Sequence, residues 1–287
     1  MIKIMKDIIG YYPILMATFE DNIEMFKLLI NYANQKNIIL EINEKDKDGV
    51  YPLFEAINKN NIEMVKLLID YANQNNIVLE INEKNIEGIF PLLLASYNNN
   101  IEMIKILIDY ANKNNIVLEI NKKGKIGSYP LLLAIFKNNI EIVYLLMDYA
   151  NLNNIILDIN DKSNEGFYPI LMASFKDNIE IIKLLIDYAN ENNIILDINE
   201  KNEYNKYPLL FSIFNNNIEM VNLLIDYANQ NNIILDINGK DNYKSYPLLL
   251  AIFKNNIEIV YLLIDYANKN NIILDINDKN NEENYPI

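Results

Sequence analysis

The chain has 287 residues, 51% of them hydrophobic, and carries a net charge of −14 with a pI near 4.5. That is ample apolar material for a core, while so acidic a surface repels phosphate backbones and anionic membranes, so neither nucleic acid nor membrane is expected as a partner. There is no Cys and no His, which excludes disulfides, the usual structural zinc sites, a cysteine nucleophile and a histidine general base.

At the N-terminus, Lys3 and Lys6 precede an apolar segment as in a signal peptide. Asp7 interrupts that segment, however, and Pro13 places it in phase with the pattern that follows. The longest apolar runs, such as residues 129–136, fall well short of the roughly 20 residues that span a bilayer. A cytoplasmic location is the expectation.

All eight prolines fall on one ruler: Pro13, Pro52, Pro91, Pro130, Pro169, Pro208, Pro247 and Pro286. A fixed period along a whole chain is the mark of a repeat architecture. The reading is a single array over residues 1–287, with seven full units starting near 10, 49, 88, 127, 166, 205 and 244 and an incomplete eighth from 283.

One unit, in chain order, begins with the turn Gly49-Val-Tyr-Pro52. Proline is tolerated in a first helical turn because its missing N–H would have no partner there. A short helix A follows, from Leu53 to about Lys59, ended by the pair Asn60-Asn61. Asn enters the left-handed conformation more readily than most residues and can replace a helix-ending glycine. Helix B runs from Ile62 to Asn75, with Val65, Leu68, Ile69 and Ala72 forming an apolar stripe. Glu63, Lys66 and Asp70 lie in its polar strip as helix-surface neighbours. Residues 77–84 are rich in β-branched side chains and predict a short extended segment. A polar turn then ends at Gly88, a place shared by Gly10, Gly49, Gly127 and Gly166 and taken by Asn205 and Lys244 in the last two units.

Gly-x-Tyr-Pro-Leu-Leu-x-Ala, then Asn-Asn-Ile-Glu-Met-Val-x-Leu-Leu, then Ile-Asn-x-x-Asp/Asn resembles the ankyrin repeat, over about residues 9 to 287. The resemblance implies an all-α, ankyrin-type α-solenoid of stacked helix-turn-helix repeats joined by short extended or hairpin loops. It also implies a non-enzymatic scaffold binding another protein through the concave helix A and hairpin surface. The alternatives are a structural spacer within a longer repeat protein and, from another class, an unrecognised enzyme. Three departures stand out. The family's Thr is Tyr or Phe (Tyr12, Tyr51, Phe90, Tyr129, Tyr168, Tyr207, Tyr246) and its His is Leu or Phe, which reads as a polar pair replaced by apolar packing. The unit is 39 residues against a family norm of about 33. The extra residues follow Tyr-Ala-Asn, so helix B should run about one turn further and stop at the Asn-Asn before Ile77.

Six residues after each proline stand Phe19, Asn58, Tyr97, Phe136, Phe175, Phe214 and Phe253. In ankyrin-like arrays this place faces the groove, and a row of aromatics there would make a binding stripe. The same regularity suits rings packed beneath the hairpins, and regular repetition favours packing. Two residues before each proline are Tyr11, Val50, Ile89, Ser128, Phe167, Lys206 and Ser245; four before, the set includes Tyr204 and Tyr243. These loop places vary in size and charge, which points to binding, with Tyr11, Ile89, Phe167, Tyr204 and Tyr243 as the contact residues.

The lysine row Lys45, Lys84, Lys123, Lys162, Lys201 and Lys240 reads as a solvated edge. Residues 158–166 resemble a calcium loop but lack its third ligand and its closing Glu. No acidic residue stands outside the repeat pattern, so no catalytic, cofactor or metal site is expected. The first and last units are as apolar as the internal ones, and residues 284–287 open a helix that does not continue. The expectation is a longer array or self-association through the C-terminal end.

Overall fold

The computed structural model describes residues 10–281. They form fourteen helices in seven pairs. The pairs are α1 (Pro13–Phe19) with α2 (Ile23–Lys36), α3 (Pro52–Asn58) with α4 (Ile62–Gln74), and α5 (Pro91–Tyr97) with α6 (Ile101–Lys113). Then come α7 (Pro130–Phe136) with α8 (Ile140–Leu152), α9 (Pro169–Phe175) with α10 (Ile179–Glu191), α11 (Pro208–Phe214) with α12 (Ile218–Gln230), and α13 (Pro247–Phe253) with α14 (Ile257–Asn270). No strand occurs among the described residues.

The chain divides into two compact units. The first comprises Met1–Lys137 with Tyr144–Ile155, and in it the A helices α1, α3, α5 and α7 pack in series, as do the B helices α2 and α4. The second comprises Asn138–Val143 with Ile156–Ile287, and repeats the arrangement with α9, α11 and α13 in one row and α10, α12 and α14 in the other.

Each A helix starts at its proline and ends at the asparagine pair, whose two members do different work. The first, as in Asn60 (φ 57°), takes the left-handed conformation and closes helix A. The second caps helix B: the Asn61 side chain accepts from the Met64 N–H at 2.9 Å, and Asn100, Asn178, Asn217 and Asn256 do the same in their units. The pair also joins neighbours, since Asn100 Nδ2 donates to Asn60 Oδ1 at 2.6 Å and Asn256 to Asn216 at 2.7 Å. Helix B ends at Gln74 and its equivalents, or one residue later in α2 and α14, at the Asn-Asn before Ile77, with Asn76 left-handed and Ile77 N–H donating to Ala72 O at 2.9 Å.

The inserted segment is not a strand. Its Leu carbonyl accepts from the N–H two residues on, as with Ile198 N to Leu196 O at 3.0 Å, a three-residue turn that precludes a ladder. Side chains secure it instead. The Tyr188 hydroxyl, from the next helix B, accepts from Leu157 N–H at 2.9 Å, and Tyr227 and Tyr266 do the same for Leu196 and Leu235. One asparagine clamps each following segment with both ends of its amide: Asn199 Nδ2 donates to Ile234 O at 2.7 Å while Asn199 Oδ1 accepts from Asp236 N at 3.0 Å. Asn43, Asn82, Asn160 and Asn238 repeat this geometry.

The tyrosines standing for the family's Thr do not simply exchange polarity for apolar packing. They are buried, but each hydroxyl reaches the loop of its own unit: Tyr51 to Glu80 O at 2.5 Å, Tyr168 to Glu200 O at 2.7 Å, Tyr207 to Gly239 O at 2.9 Å. Burial pushes the hydroxyls of Tyr51, Tyr168 and Tyr207 far above the usual tyrosine range, so they act as neutral donors. A Thr side chain is too short for this reach, and the longer loop of this repeat supplies the distant acceptor.

The hairpin turns close on Asp46, Asn85, Ser163, Asn202 and Asp241; Asp241 Oδ1 accepts from Tyr243 N at 2.9 Å and Ser245 N at 2.8 Å. At Gly166 (φ +79°) the left-handed place leaves no room for a side chain, since an added Cβ would lie 2.8 Å from Asn202 Cα. Asn205 (φ 54°) and Lys244 (φ 59°) hold the same conformation.

Candidate partner-binding surface

Helix A is seven residues long and ends on its aromatic. Two turns from the proline, that side chain is past the last residue that packs between neighbouring helices. Phe19, Tyr97, Phe136, Phe175, Phe214 and Phe253 are accordingly exposed, from 39% for Phe19 to 72% for Phe253. Full burial beneath the hairpins, which regularity favoured, is not found, although Phe19 and Phe175 lean on hairpin rings and Phe175 on the next unit's Phe211. The residues immediately before them, such as Ile213 and Ser212, are the ones wholly buried.

The loop residues divide. Tyr11 and Phe167 are half-buried and extend the row, with Tyr11 5.5 Å from Phe19 and Phe167 6.0 Å from Phe175 between ring centroids. Phe175 also meets Phe211 edge-on at 5.2 Å. Ile89 is half-buried. Tyr204 and Tyr243 are exposed at hairpin tips and make no ring contact with the row; their carbonyls accept from Asn242 N and Asn281 N of the next tips.

A lysine was missed at this surface. The residue after this place is Lys59, Lys137, Lys176 and Lys254 in four units, Lys59 following Asn58 and the others an aromatic. Lys59 Nζ lies 4.8 Å from the centroid of the preceding unit's Phe19, Lys137 4.4 Å from Tyr97 and Lys254 4.5 Å from Phe214. Where this residue is Asn98 or Asn215, its amide donates instead to Ile57 O or Ser174 O at the end of the preceding helix A. The row Lys45 to Lys240 is more than a solvated edge: Lys162 lies 5.7 Å from the Tyr168 ring centroid and 2.6 Å from a Glu200 carboxylate oxygen, and Lys45 and Lys201 combine a ring with an acid likewise. On helix B, Lys66 pairs with Glu102 of the next unit at 2.8 Å, the contact drawn across helices in preference to its own Glu63 and Asp70.

One acid does stand outside the repeat pattern, contrary to expectation. Glu55 occupies a helix A place taken elsewhere by Met16, Leu94, Leu133, Met172, Phe211 and Leu250, and is only 4% exposed. Its partners are Asn58 Nδ2 at 3.2 Å and Lys59 Nζ at 3.6 Å, and Asn58 is the one gap in the aromatic row. Burial pushes the Glu55 carboxyl above its usual range; Asn58 and Lys59 pull the other way. A folded-state value above the unfolded one means that this group's contribution is most favourable below the ordinary carboxylate range and declines as pH rises through the folded value. Glu55→Met should therefore stabilise the protein at neutral pH by about 1 kcal/mol or more. That advantage should shrink at acidic pH, as read by urea midpoints of the two proteins. A less stable Glu55→Met at neutral pH would show that the polar trio outweighs its burial cost.

Among the described residues there is no group of three or more acidic, His or Cys side chains able to hold a metal, and no helix is long and apolar enough to cross a membrane. The flank of α13 and α14 exposes Ile257, Tyr261, Ile273 and Ile276. The eighth unit expected from 283 lies outside the described residues.

A family model described as ankyrin repeats (three copies) matches residues 3–78, 76–156, 152–233 and 193–280. Among solved structures, the ankyrin repeat domain of Bcl-3, titled a unique member of the IkappaB protein family, aligns with a TM-score of 0.56 and 20% identity, over 84% of this chain and 93% of that one. The ankyrin repeat protein EF0377 aligns with a TM-score of 0.57 and 24% identity, over 79% and 99%. A search of curated proteins finds no match.

Proposed function

Because this chain belongs to the ankyrin-repeat family, we propose that it is a non-enzymatic scaffold, residues 1–287 serving as one array, that binds another protein through the row of rings at the ends of its A helices and the hairpin residues beside them. The observation that carries this reading is the exposure of Phe19, Tyr97, Phe136, Phe175, Phe214 and Phe253 while the rest of each A helix is nearly all buried. Large aromatics left in water at one place per unit cost solubility and give nothing to the core. They are also the side chains that most often dominate interfaces. Tyr11 and Phe167 widen the row from the hairpin side, and Tyr204 and Tyr243 add rings at its tips.

The test is a paired bait experiment in extract of the native cell with the wild-type chain and a Phe175→Ala/Phe214→Ala protein. A partner held through the row should lose at least about a hundredfold in affinity, two interface rings being worth about 2 kcal/mol each or more. Melting should fall by less than the loss of two buried rings would cause, since only partly exposed contacts are given up: those of Phe175 with Phe211 and Phe167 and those of Phe214 with Lys254 and Lys206. A loss near the 3–5 kcal/mol typical of a buried Phe→Ala would instead class these rings as core.

A further inference from the structure

Two repeats carry apolar faces that are uncovered among the described residues. In the first, Met25 is 46% exposed and Tyr32 56%, while the same two places in the other six repeats are at most 4% exposed. In the seventh, Ile276 is 58% exposed, and the same place in the other six is at most 2%. What differs is the neighbour: no described repeat precedes the first or follows the seventh. Both repeats have close copies inside the chain. Residues 246–279 of the seventh match residues 129–162 of the fourth except at Met147/Ile264 and Leu152/Lys269. The first and fifth alone open with Pro-Ile-Leu-Met-Ala, at Pro13 and Pro169, and alone separate their helices with Asp-Asn, at Asp21-Asn22 and Asp177-Asn178. A seventh repeat followed by a first is therefore, in sequence, a fourth followed by a fifth. That succession already occurs in the chain, and part of its junction lies within the second compact unit. There the Tyr188 hydroxyl accepts from Leu157 N–H at 2.9 Å, and Asn160 donates to Ile195 O at 2.7 Å while accepting from Asp197 N at 3.1 Å. Asn178 Nδ2 donates to Asn138 Oδ1 at 2.7 Å.

We propose that the seventh repeat of one chain docks on the first repeat of a second copy, head to tail, in the register of the fourth repeat on the fifth. Every group of the internal junction has its counterpart on the two open faces. Tyr32 accepts from Leu274 N–H, Asn277 clamps Ile39 O and Glu41 N, and Asn22 Nδ2 donates to Asn255 Oδ1. Among the described residues neither the Tyr32 hydroxyl nor the Leu274 N–H has another partner. Met25, Tyr32 and Ile276 regain the burial of their internal counterparts, and this loss of apolar surface from water drives the contact. The contact is heterologous, using a different face on each copy. Each copy added leaves one face of each kind open, so association continues past the dimer unless a ring closes. This surface is separate from the row of rings on helix A, and its existence does not depend on what the row binds.

Sedimentation of the full chain across a range of concentrations tests this, with one variant for each face. Met25→Glu/Tyr32→Glu places charge on the first repeat and Ile257→Glu/Ile276→Glu on the seventh; all four side chains are exposed in the single chain, so both variants should fold, which thermal midpoints check. The expected result for wild type is a mean mass that rises with concentration beyond that of a dimer. Each variant alone should associate at least about a hundredfold more weakly, two central apolar contacts being lost. Mixed in equal amounts, the two variants should form a one-to-one dimer and stop there, because each supplies the face that the other lacks. A wild type that stays monomeric into the millimolar range would overturn a second copy as the occupant. So would a seventh-repeat variant that is monomeric while the first-repeat variant still dimerises, since the seventh repeat would then be pairing with itself. Two folded variants that fail to combine when mixed would overturn the head-to-tail register.

Discussion

Tyr207→Ala should unfold the chain at markedly lower urea, with a loss of about 3–5 kcal/mol. The side chain is wholly buried, its ring lies under Lys201 at 5.2 Å, and its hydroxyl donates to Gly239 O at 2.9 Å. Truncation removes the packing and the anchor together. Tyr207→Phe separates them. It keeps the ring and deprives the Gly239 carbonyl of its donor, which should cost about 1–3 kcal/mol. If Tyr207→Phe unfolds at the wild-type midpoint, the hydroxyl is not what holds the long loop, and the departure from the family's Thr is a matter of volume alone.

Asn199→Ala should act locally where Tyr207→Ala acts globally. Two hydrogen bonds end on this one amide, to Ile234 O and from Asp236 N, and together they are worth about 1–3 kcal/mol. The segment they hold has no ladder of its own, so the Asp236 amide should exchange with solvent at least about tenfold faster, while amides in the middle of α12 keep their protection. Asn199→Asp keeps the acceptor for Asp236 N and loses the donor to Ile234 O, so it should fall between the two. Uniform acceleration across α12 and the segment would mean that the clamp belongs to the global fold, and unchanged exchange at Asp236 would mean that the Tyr266 hydroxyl on Leu235 N suffices.

The proposed binding surface was half legible. Its positions could be counted off the proline ruler, and Phe19, Tyr97, Phe136, Phe175, Phe214 and Phe253 were found that way. Their exposure could not be, because a period records recurrence and is blind to whether the recurring side chain faces a neighbour or water. The lysines over the rings were out of reach for a different reason: Lys254 and Phe214 lie 40 positions apart, and only stacking brings them within 4.5 Å. Glu55 was visible as a break in a column of apolar residues, a signal that a search confined to the repeating acids passes over.

By itself the amino-acid order determined the repeat, its length, the two helices of each unit and the asparagines that separate them. These follow from local causes: a proline that can only begin a helix, an Asn that tolerates a positive φ, and an apolar stripe at helical spacing. What the tertiary structure alone decided is everything made by one unit on the next. The helix B tyrosine hydroxyls that accept from the preceding segment, the Asn clamps and the ring–lysine pairs each join residues of neighbouring units some 31 to 40 positions apart, and nothing within a single unit determines which donor will find which acceptor. That choice is made when two copies stack and every buried N–H and C=O must find a partner. The inserted residues read as a strand only because β-branched side chains suit one; they became a side-chain-clamped loop because the neighbouring unit offered amides and hydroxyls where a strand would have needed a backbone edge.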